Sequence, residues 1–271
     1  MKNKVLFLVL LALLCIAAAA AAETENGIVL ADTEKVYLRV DRMEEGDDTF
    51  FMKMYMENRS DTKVIFTLDG VVINGYSVEP YWAIEIAPGK KANDTVGVSG
   101  LTARGIQDEV RIVEFTARAF DNNDWLADDL LKERFTLYPT GEQDNAAIRE
   151  REPEDTDTVV ADNENLAIIV TGYGMDEIWG YTAEVYLVNR TDANVIFAAS
   201  DVSINGFMAD PMWAVSVPPH ARKVSSISWF NSTLEENGIE KVEEIEIRFS
   251  AGDYDDWSAD SLYDEVTVLN P

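Results

Sequence analysis

The chain carries the same stretch of sequence twice. Residues 73–76 read Ile-Asn-Gly-Tyr and are followed at 80–83 by Pro-Tyr-Trp-Ala. Residues 204–207 read Ile-Asn-Gly-Phe and are followed at 211–214 by Pro-Met-Trp-Ala, with the same spacing. A duplication at constant spacing means that one structural unit is built two times. We call the two copies the first half and the second half of the chain.

Both halves alternate apolar and polar residues with period two. Two matching runs show this pattern: Val36, Leu38 and Val40, and Leu166, Ile168 and Val170. Alternation of this length is typical of half-buried strands. Each half holds about seven or eight such runs in about 105 residues without helical periodicity, and this predicts an all-β sandwich.

Turn chemistry separates the strands in the same way in both halves. The Asn-Gly pairs at 74–75 and 205–206 predict two-residue type I′ hairpins, in which both turn residues need positive φ. Residues 58–60 (Asn-Arg-Ser) and 189–191 (Asn-Arg-Thr) have the form of N-glycosylation acceptors. Because Asn side chains readily bond to nearby backbone, we interpret both as turns.

The tryptophans after the hairpins lie in alternating runs. Trp82 is followed by Ile84 and Ile86, and Trp213 stands at the matching position. We therefore expect these two rings to face the core rather than to form an exposed binding platform.

The alternation, the Pro88-Gly89 turn and the tandem arrangement resemble immunoglobulin-like modules of exported bacterial surface proteins. The resemblance covers residues 34–139 and 165–271, although the Cys…Trp…Cys pattern of true immunoglobulin domains is absent. It implies two Ig-like β-sandwich domains that act as a spacer, an adhesion unit or a ligand-binding accessory. Around them we expect an acidic lead-in at 23–33 and a solvated acidic linker at 140–164.

The N-terminus reads as an export signal. Residues 1–4 are basic, residues 5–22 are apolar, and Ala20-Ala21-Ala22 fits a small-residue cleavage site. Cleavage predicts a secreted or cell-surface protein, and the alternative is an uncleaved anchor. The sole cysteine, Cys15, would leave with the leader, so the mature chain would have no disulfide or reactive thiol.

The charge balance limits the partners. The chain has 50 acidic and 22 basic residues, a net charge of −28. Such a surface repels nucleic acid and anionic lipid, because phosphate binding needs clustered Lys and Arg. We expect no nucleic-acid partner and no membrane contact after cleavage, and an extracellular protein or glycan as the partner.

Acidic loops near the end of each half are the candidate sites. Residues 121–129 and 253–260 share the pattern Asp, any residue, Asn or Asp, Asp, Trp, any residue, Ala, Asp. Ca²⁺ takes six to eight oxygen ligands, which clustered carboxylates supply. The candidate metal ligands are Asp121, Asp124, Asp128, Asp253, Asp256 and Asp260. The interpretation that we favour over a metal site is a tight turn with Asx bonds that holds a packed Trp.

Carbohydrate binding is a second hypothesis for these loops. Trp125 and Trp257 lie beside carboxylates, and sugar sites pair an aromatic face with polar acceptors. Trp179 and Trp229 occur only in the second half, so an exposed Trp there would distinguish the two halves.

Catalysis has little support in the sequence. The only histidine, His220, takes the place of Gly89 in a turn, so both halves cannot share a Ser-His-Asp triad, and a His-rich zinc site is excluded. Paired carboxylates suit a glycosidase, but so acidic a chain contains pairs by chance. We predict a non-enzymatic binding or adhesion module without a cofactor, with Ca²⁺ in the acidic loops as the alternative. The alternatives are a structural spacer with Ca²⁺-stabilised loops and a carboxylate-based glycosidase.

Overall fold

The computed structural model describes residues 23–24, 27–124, 127–141 and 151–271. Nearly all regular structure in these ranges is β-strand, which confirms the predicted all-β class. The apolar leader, residues 1–22, lies outside the described part. Within the described ranges, no helix is long and apolar enough to cross a bilayer.

The strands follow the repeat. Those of the first half are β1 (Glu23–Thr24), β2 (Gly27–Asp32), β3 (Val36–Gly46), β4 (Thr49–Asn58), β5 (Val64–Ile73), β6 (Tyr76–Ser77), β7 (Ala83–Ile86), β8 (Lys91–Ser99), β9 (Val113–Asp121) and β10 (Leu131–Leu137). Those of the second half are β11 (Thr158–Asp162), β12 (Leu166–Asp176), β13 (Gly180–Asn189), β14 (Val195–Ile204), β15 (Phe207–Met208), β16 (Ala214–Val217), β17 (Arg222–Trp229), β18 (Ile245–Asp253) and β19 (Tyr263–Leu269). A 3₁₀ turn at Thr102–Arg104 follows β8, and a short helix α1 (Asn231–Glu236) follows β17.

These strands form three sheets. One has the order β1-β2-β3-β4-β8, and another joins β15, β14, β18 and β19, with β16 also paired to β14. The third sheet crosses both halves in the order β10-β9-β5-β6-β17-β13-β12-β11, with β7 paired to β5. In each half, part of the long sheet therefore packs against a smaller sheet.

Two hydrophobic cores fill the spaces between the sheets. Phe66 and Phe115 are fully buried in the first core, and Phe197 and Phe249 are fully buried in the second. The period-two alternation places these rings inward, and burying a side chain of this size stabilises the fold by about 1.5–3 kcal/mol.

Two segments expected to be loose form strands. Part of the predicted lead-in at 23–33 is β2, which pairs with β3, and part of the predicted linker at 140–164 is β11, which pairs with β12. Ala31 and Ala161 are buried at matching positions. Their burial outweighs the acidic surroundings on which the expectation rested.

The duplication extends to the irregularities of the ladders. β-bulges interrupt the strand pairs at matching places: residues 29–31 and 159–161, 40–42 and 170–172, and 69–72 and 200–203. A bulge bends its strand and increases the local twist. Both halves therefore have the same curvature as well as the same strand order.

The Asn-Gly pairs form the predicted hairpins. Asn74 and Gly75 have φ of 47° and 79°, and Asn205 and Gly206 have φ of 50° and 82°, as a type I′ turn requires. The Asn74 side chain also accepts the Arg111 N–H at 2.9 Å and donates to the Glu109 carbonyl at 2.8 Å. Equivalent bonds at Asn205 fix the same loop in the second half.

The Asn-x-Ser/Thr sequences form turns between strands, as predicted, and the Asn side chain of each is buried. The Asn58 amide donates to the carbonyls of Thr62 and Ile86 at 2.7 and 2.8 Å. Asn189 donates to three carbonyls, those of Ala193, Val217 and Pro218. Each amide joins a turn to a neighbouring strand.

The two tryptophans after the hairpins face the cores, which confirms the prediction. Both rings are buried. Trp82 Nε1 donates to the Asp94 carboxylate at 3.0 Å, and Trp213 Nε1 donates to Ser225 Oγ at 3.1 Å, at the matching place.

The first-half hairpin joins the two halves. β6 runs parallel to β17, and the Arg222 N–H donates to the Gly75 carbonyl at 2.8 Å. Tyr76 packs against Tyr186, with ring centroids 6.4 Å apart. We call this contact between β6 and β17 the joint.

Candidate functional site

The acidic loops at Asp121 and Asp253 are turns held by Asx bonds. The Asp121 carboxylate accepts the Asn123 N–H at 2.8 Å, and this bond lowers the pKa of Asp121. The Asp253 carboxylate accepts the N–H groups of Asp255 and Asp256 at 2.8 and 3.1 Å. Oxygens proposed as metal ligands thus fix the loop backbone instead.

The other acidic candidates do not converge. The Asp256 carboxylate accepts bonds from the hydroxyl and N–H of Ser258, which lower its pKa, while Asp124, Asp128 and Asp260 are exposed. Across the part of the chain that the structure describes, no group of three or more His, Cys, Asp or Glu is arranged to hold a metal ion. The calcium hypothesis stays a prediction, and calorimetry with Ca²⁺ tests it. No heat of binding and no effect of EDTA on the melting temperature would contradict it.

Trp257 is not packed into its turn. Its side chain is 78% exposed, so the interpretation of a turn that holds a packed Trp is wrong for the second half. Trp125 lies outside the described residues. An exposed ring beside carboxylates leaves sugar binding at Trp257 as a prediction.

A larger aromatic surface lies elsewhere in the second half. Trp179 and Phe230 are 55% and 54% exposed, and their ring centroids are 6.1 Å apart. Both rings line a cleft of about 740 Å³, which we call the aromatic cleft. Its other lining residues are Gly174, Met175, Asp176, Thr182, Glu184, Met212, Trp213, Ser226 and Ser228.

The tip of the β12–β13 hairpin positions Trp179. The Asp176 carboxylate accepts the N–H groups of Ile178 and Trp179 at 2.7 and 2.8 Å, which lowers the pKa of Asp176. Gly180 has φ of 80°, and a Cβ there would lie 2.3 Å from the Trp229 carbonyl oxygen. Only glycine allows the hairpin to approach so closely, and this approach brings Trp179 beside Phe230.

Packed aromatic rings support the cleft. Trp229 is buried and donates to the Ala209 carbonyl at 2.7 Å. Tyr181 packs against Trp229 and Tyr173, with centroids 6.2 and 6.3 Å apart. Burial, together with the charge of Tyr173, raises the pKa of Tyr181 to about 12, so its phenol stays neutral. The exposed rings thus stand on a rigid base.

One wall of the cleft presents hydroxyl groups. Thr182, Ser226 and Ser228 line it together with the carboxylate of Glu184. Ser226 Oγ is buried without a hydrogen-bond partner among the described residues. Buried hydroxyls in native proteins are nearly always bonded, so Ser226 Oγ is an unsatisfied polar group behind this wall.

A second cavity, of about 450 Å³, lies at the joint. Asn74 and Tyr76 line it from the first half, and Tyr186 from the second. Arg151 enters it from the connecting segment but is held by Asp157 through two bonds of 2.6 and 2.7 Å. Arg111 Nε, which also belongs to the lining, is buried without a hydrogen-bond partner among the described residues. Because residues of both halves line this cavity, we regard it as part of the joint.

Sequence reasoning did not predict the aromatic cleft. Trp179 and Phe230 are about fifty residues apart, and neither belongs to a repeated motif. The available signal was that Trp179 has no counterpart in the first half. In the structure Trp179 is exposed at the cleft. Trp229, the other Trp without a counterpart in the first half, is buried.

Comparison with known proteins yields no family. No protein-family model and no curated protein matches the chain. Among solved structures it is similar to the Salmonella enterica SafA pilin in complex with the SafB chaperone, at 12% identity and a TM-score of 0.27, over 88% of this chain and 98% of that one. It is similar to a Porphyromonas gingivalis W83 protein of unknown function at 8% identity and a TM-score of 0.22, over 80% and 91% of the two chains. It is also similar to red sea bream transglutaminase at 11% identity and a TM-score of 0.21, over 86% of this chain and 31% of that one. With TM-scores this low, none of these similarities supports an inference about function.

Proposed function

We propose that this chain is an exported pair of Ig-like modules without enzymatic activity, and that its second half binds a glycan in the aromatic cleft. The observation that carries the proposal is the exposed Trp179 ring beside Phe230, over a wall of hydroxyls. Sugar rings combine apolar C–H faces with hydroxyls. A concave site with aromatic rings and a few polar groups suits such a ligand.

The negative charge of the cleft and of the whole chain disfavours acidic glycans as ligands. Asp176 and Glu184 line the cleft, in a chain whose net charge is −28. Carboxylates and a negative surface repel uronate or sulfated glycans. The cleft therefore suits neutral sugars or amino sugars.

The environment of Asp176 favours binding over hydrolysis. A glycosidase needs one carboxyl group whose pKa is raised so that it can donate a proton. Asp176 has the opposite environment, because the N–H groups of Trp179 and Ile178 lower its pKa. This supports a role for Asp176 in shaping the hairpin tip.

Calorimetry and Trp fluorescence test the proposal with three probes: neutral glucan oligomers, glucosamine oligomers and polyuronates. We expect one of the first two classes to bind and the polyuronates not to bind. Trp179→Ala should weaken binding about tenfold, which corresponds to about 1.4 kcal/mol. No release of reducing ends is expected during long incubation.

Trp257→Ala is the matched control, since it removes another exposed Trp of the same half. It should leave the affinity unchanged. Loss of binding in Trp257→Ala with retention in Trp179→Ala would move the site to the acidic loop. Absence of binding to every neutral and amino-sugar probe would contradict glycan binding.

A further inference from the structure

The joint is a template for a second contact of the same kind. It consists of an Asn-Gly hairpin from one half laid beside an edge strand of the other half. Since the chain is duplicated, each half has its own hairpin and its own edge strand. The joint uses the hairpin of the first half and the edge strand of the second half. The hairpin of the second half and the edge strand of the first half take no part in it.

The hairpin of the second half is uncovered. Tyr76 and Ser77 at the joint are 5% and 6% exposed, whereas Phe207 and Met208, at the matching positions, are 49% and 65% exposed. The two turns have the same backbone conformation. An apolar pair at the tip of a regular hairpin therefore stands in solvent where its counterpart is buried.

The edge strand of the first half is also uncovered. β8 is the last strand of its sheet and pairs only with β4 among the described strands. It corresponds to β17: Tyr55 pairs with Asn93 as Tyr186 pairs with Val224. Tyr186, which receives Tyr76 at the joint, is thus matched by a tyrosine. An unpaired strand edge offers N–H and C=O groups to another strand.

The charges of the two surfaces do not follow the template. At the joint, Glu79 follows the hairpin and pairs with Lys223 near the start of β17. In the second half Asp210 holds the place of Glu79, but in the first half Ala92 holds the place of Lys223. The proposed contact therefore rests on the exposed hairpin and the unpaired strand edge, without a matching ion pair.

We propose that copies of this chain associate head to tail, with the β14–β15 hairpin of one copy laid along β8 of the next. Phe207 would pack near Tyr55, as Tyr76 packs near Tyr186. The contact joins two different surfaces and so produces open chains rather than a closed dimer. The net charge of −28 opposes association, so raising the ionic strength strengthens it.

Sedimentation velocity of the purified chain over a range of protein and salt concentrations tests the proposal. We expect a concentration-dependent series of species that grows with salt. Phe207→Asp combined with Met208→Asp should abolish the series, because it places charge on the hairpin tip. Both side chains are exposed, and circular dichroism verifies that the variant folds.

A second variant blocks the other surface. The Arg222 N–H points out of its sheet at the joint, and in the matching register the N–H groups of Lys91 and Asn93 do the same. Asn93→Pro removes an outward donor from an edge strand, a position where proline is tolerated. This variant should be monomeric as well.

Mixing the two variants decides the geometry. The hairpin variant keeps an intact β8, and the β8 variant keeps an intact hairpin, so the equimolar mixture should form a dimer and nothing larger. Wild-type chain that remains monomeric at high salt overturns the proposal. Association of either variant alone at the wild-type level also overturns the proposal, because the contact would then lie elsewhere, for example at the apolar residues 5–22.

Discussion

Strands β4 and β8 of the first half pair in the same register as β13 and β17 of the second half. The outward face of the first pair is closed, whereas that of the second pair is open. In the first half Phe51 lies over Gly97, whose added Cβ would be 3.1 Å from the ring. In the second half the same pair is Thr182 and Ser228, and the space above it is the aromatic cleft. One large ring fills the face in one copy, and small hydroxyl residues open it in the other.

The neighbouring pair shows the same contrast. Lys53 donates to Thr95 Oγ1 at 2.9 Å in the first half, so the threonine hydroxyl has a partner. The matching residues of the second half are Glu184 and Ser226, and Ser226 Oγ has no partner within the described ranges. The repeated scaffold therefore fixes the strands and leaves the outward face free to differ between the halves.

The largest losses of stability should come from substitutions in the hydrophobic cores, which the two halves share. Phe66→Ala and Phe197→Ala remove fully buried rings at matching positions of β5 and β14. Each should lower the free energy of unfolding of its half by about 3–5 kcal/mol, because a cavity remains. Chemical denaturation measures this effect. A cost below about 1 kcal/mol in either half would contradict the equivalence of the two cores.

The buried amides should show equal effects in the two halves. Asn58→Ala removes the donor of two carbonyls. Asn189→Ala also removes the donor of two carbonyls, because its third acceptor, the Pro218 carbonyl, keeps the Ala221 N–H at 3.2 Å. We expect each variant to lose about 2 kcal/mol of unfolding free energy, since an unsatisfied buried carbonyl costs about 1 kcal/mol or more. Chemical denaturation measures this effect, and clearly unequal losses at the two positions would contradict it.

Closing the outward face of the second half should weaken glycan binding in the aromatic cleft. Thr182→Phe together with Ser228→Gly reproduces the closed face of the first half and should weaken glycan binding about tenfold, or about 1.4 kcal/mol. The reciprocal Phe51→Thr should not affect binding. Calorimetry with the glycan identified for the wild type measures both, and retained affinity after Thr182→Phe would show that the ligand lies elsewhere.

The smallest expected effect is on the stability of the fold at acidic pH. Hydrogen bonds from Lys91 and Tyr55 lower the pKa of Glu57 from 4.5 to about 2, and Val188 stands at the matching position in the second half. A lowered folded-state pKa stabilises the protein above 4.5, and this contribution is lost as the pH falls from about 4.5 to about 2. Glu57→Gln should therefore show a shallower loss of stability in that window than the wild type.

Denaturation midpoints across the acid range measure this slope. Glu240→Gln, which alters an exposed carboxylate of the second half, is the control and should follow the wild type. If Glu57→Gln keeps the wild-type slope, the bonds to Glu57 do not contribute to acid sensitivity.

Local chemistry explains which predictions succeeded. The Asn-Gly turns need positive φ, the buried Asn58 and Asn189 bond to nearby backbone, and Trp82 follows a period-two pattern. Each depends on residues close in sequence. The predictions that failed took residues 23–33 as a lead-in and residues 140–164 as a linker because these segments are acidic. Residues 29–32 (Val-Leu-Ala-Asp) and 159–162 (Val-Val-Ala-Asp) nevertheless match each other and carry the apolar residues of a strand.

The sequence by itself determined the duplication, the all-β class, the hairpins and the inward Trp82 and Trp213, because these follow from short-range periodicity and turn chemistry. Only the tertiary structure decided which copy of each repeated element is buried. Tyr76 lies in the joint while Phe207 stands in solvent, and Phe51 closes a face that Thr182 leaves open. Burial depends on what the rest of the chain places against a residue, and two copies of one segment can therefore form a joint in one half and an exposed surface in the other.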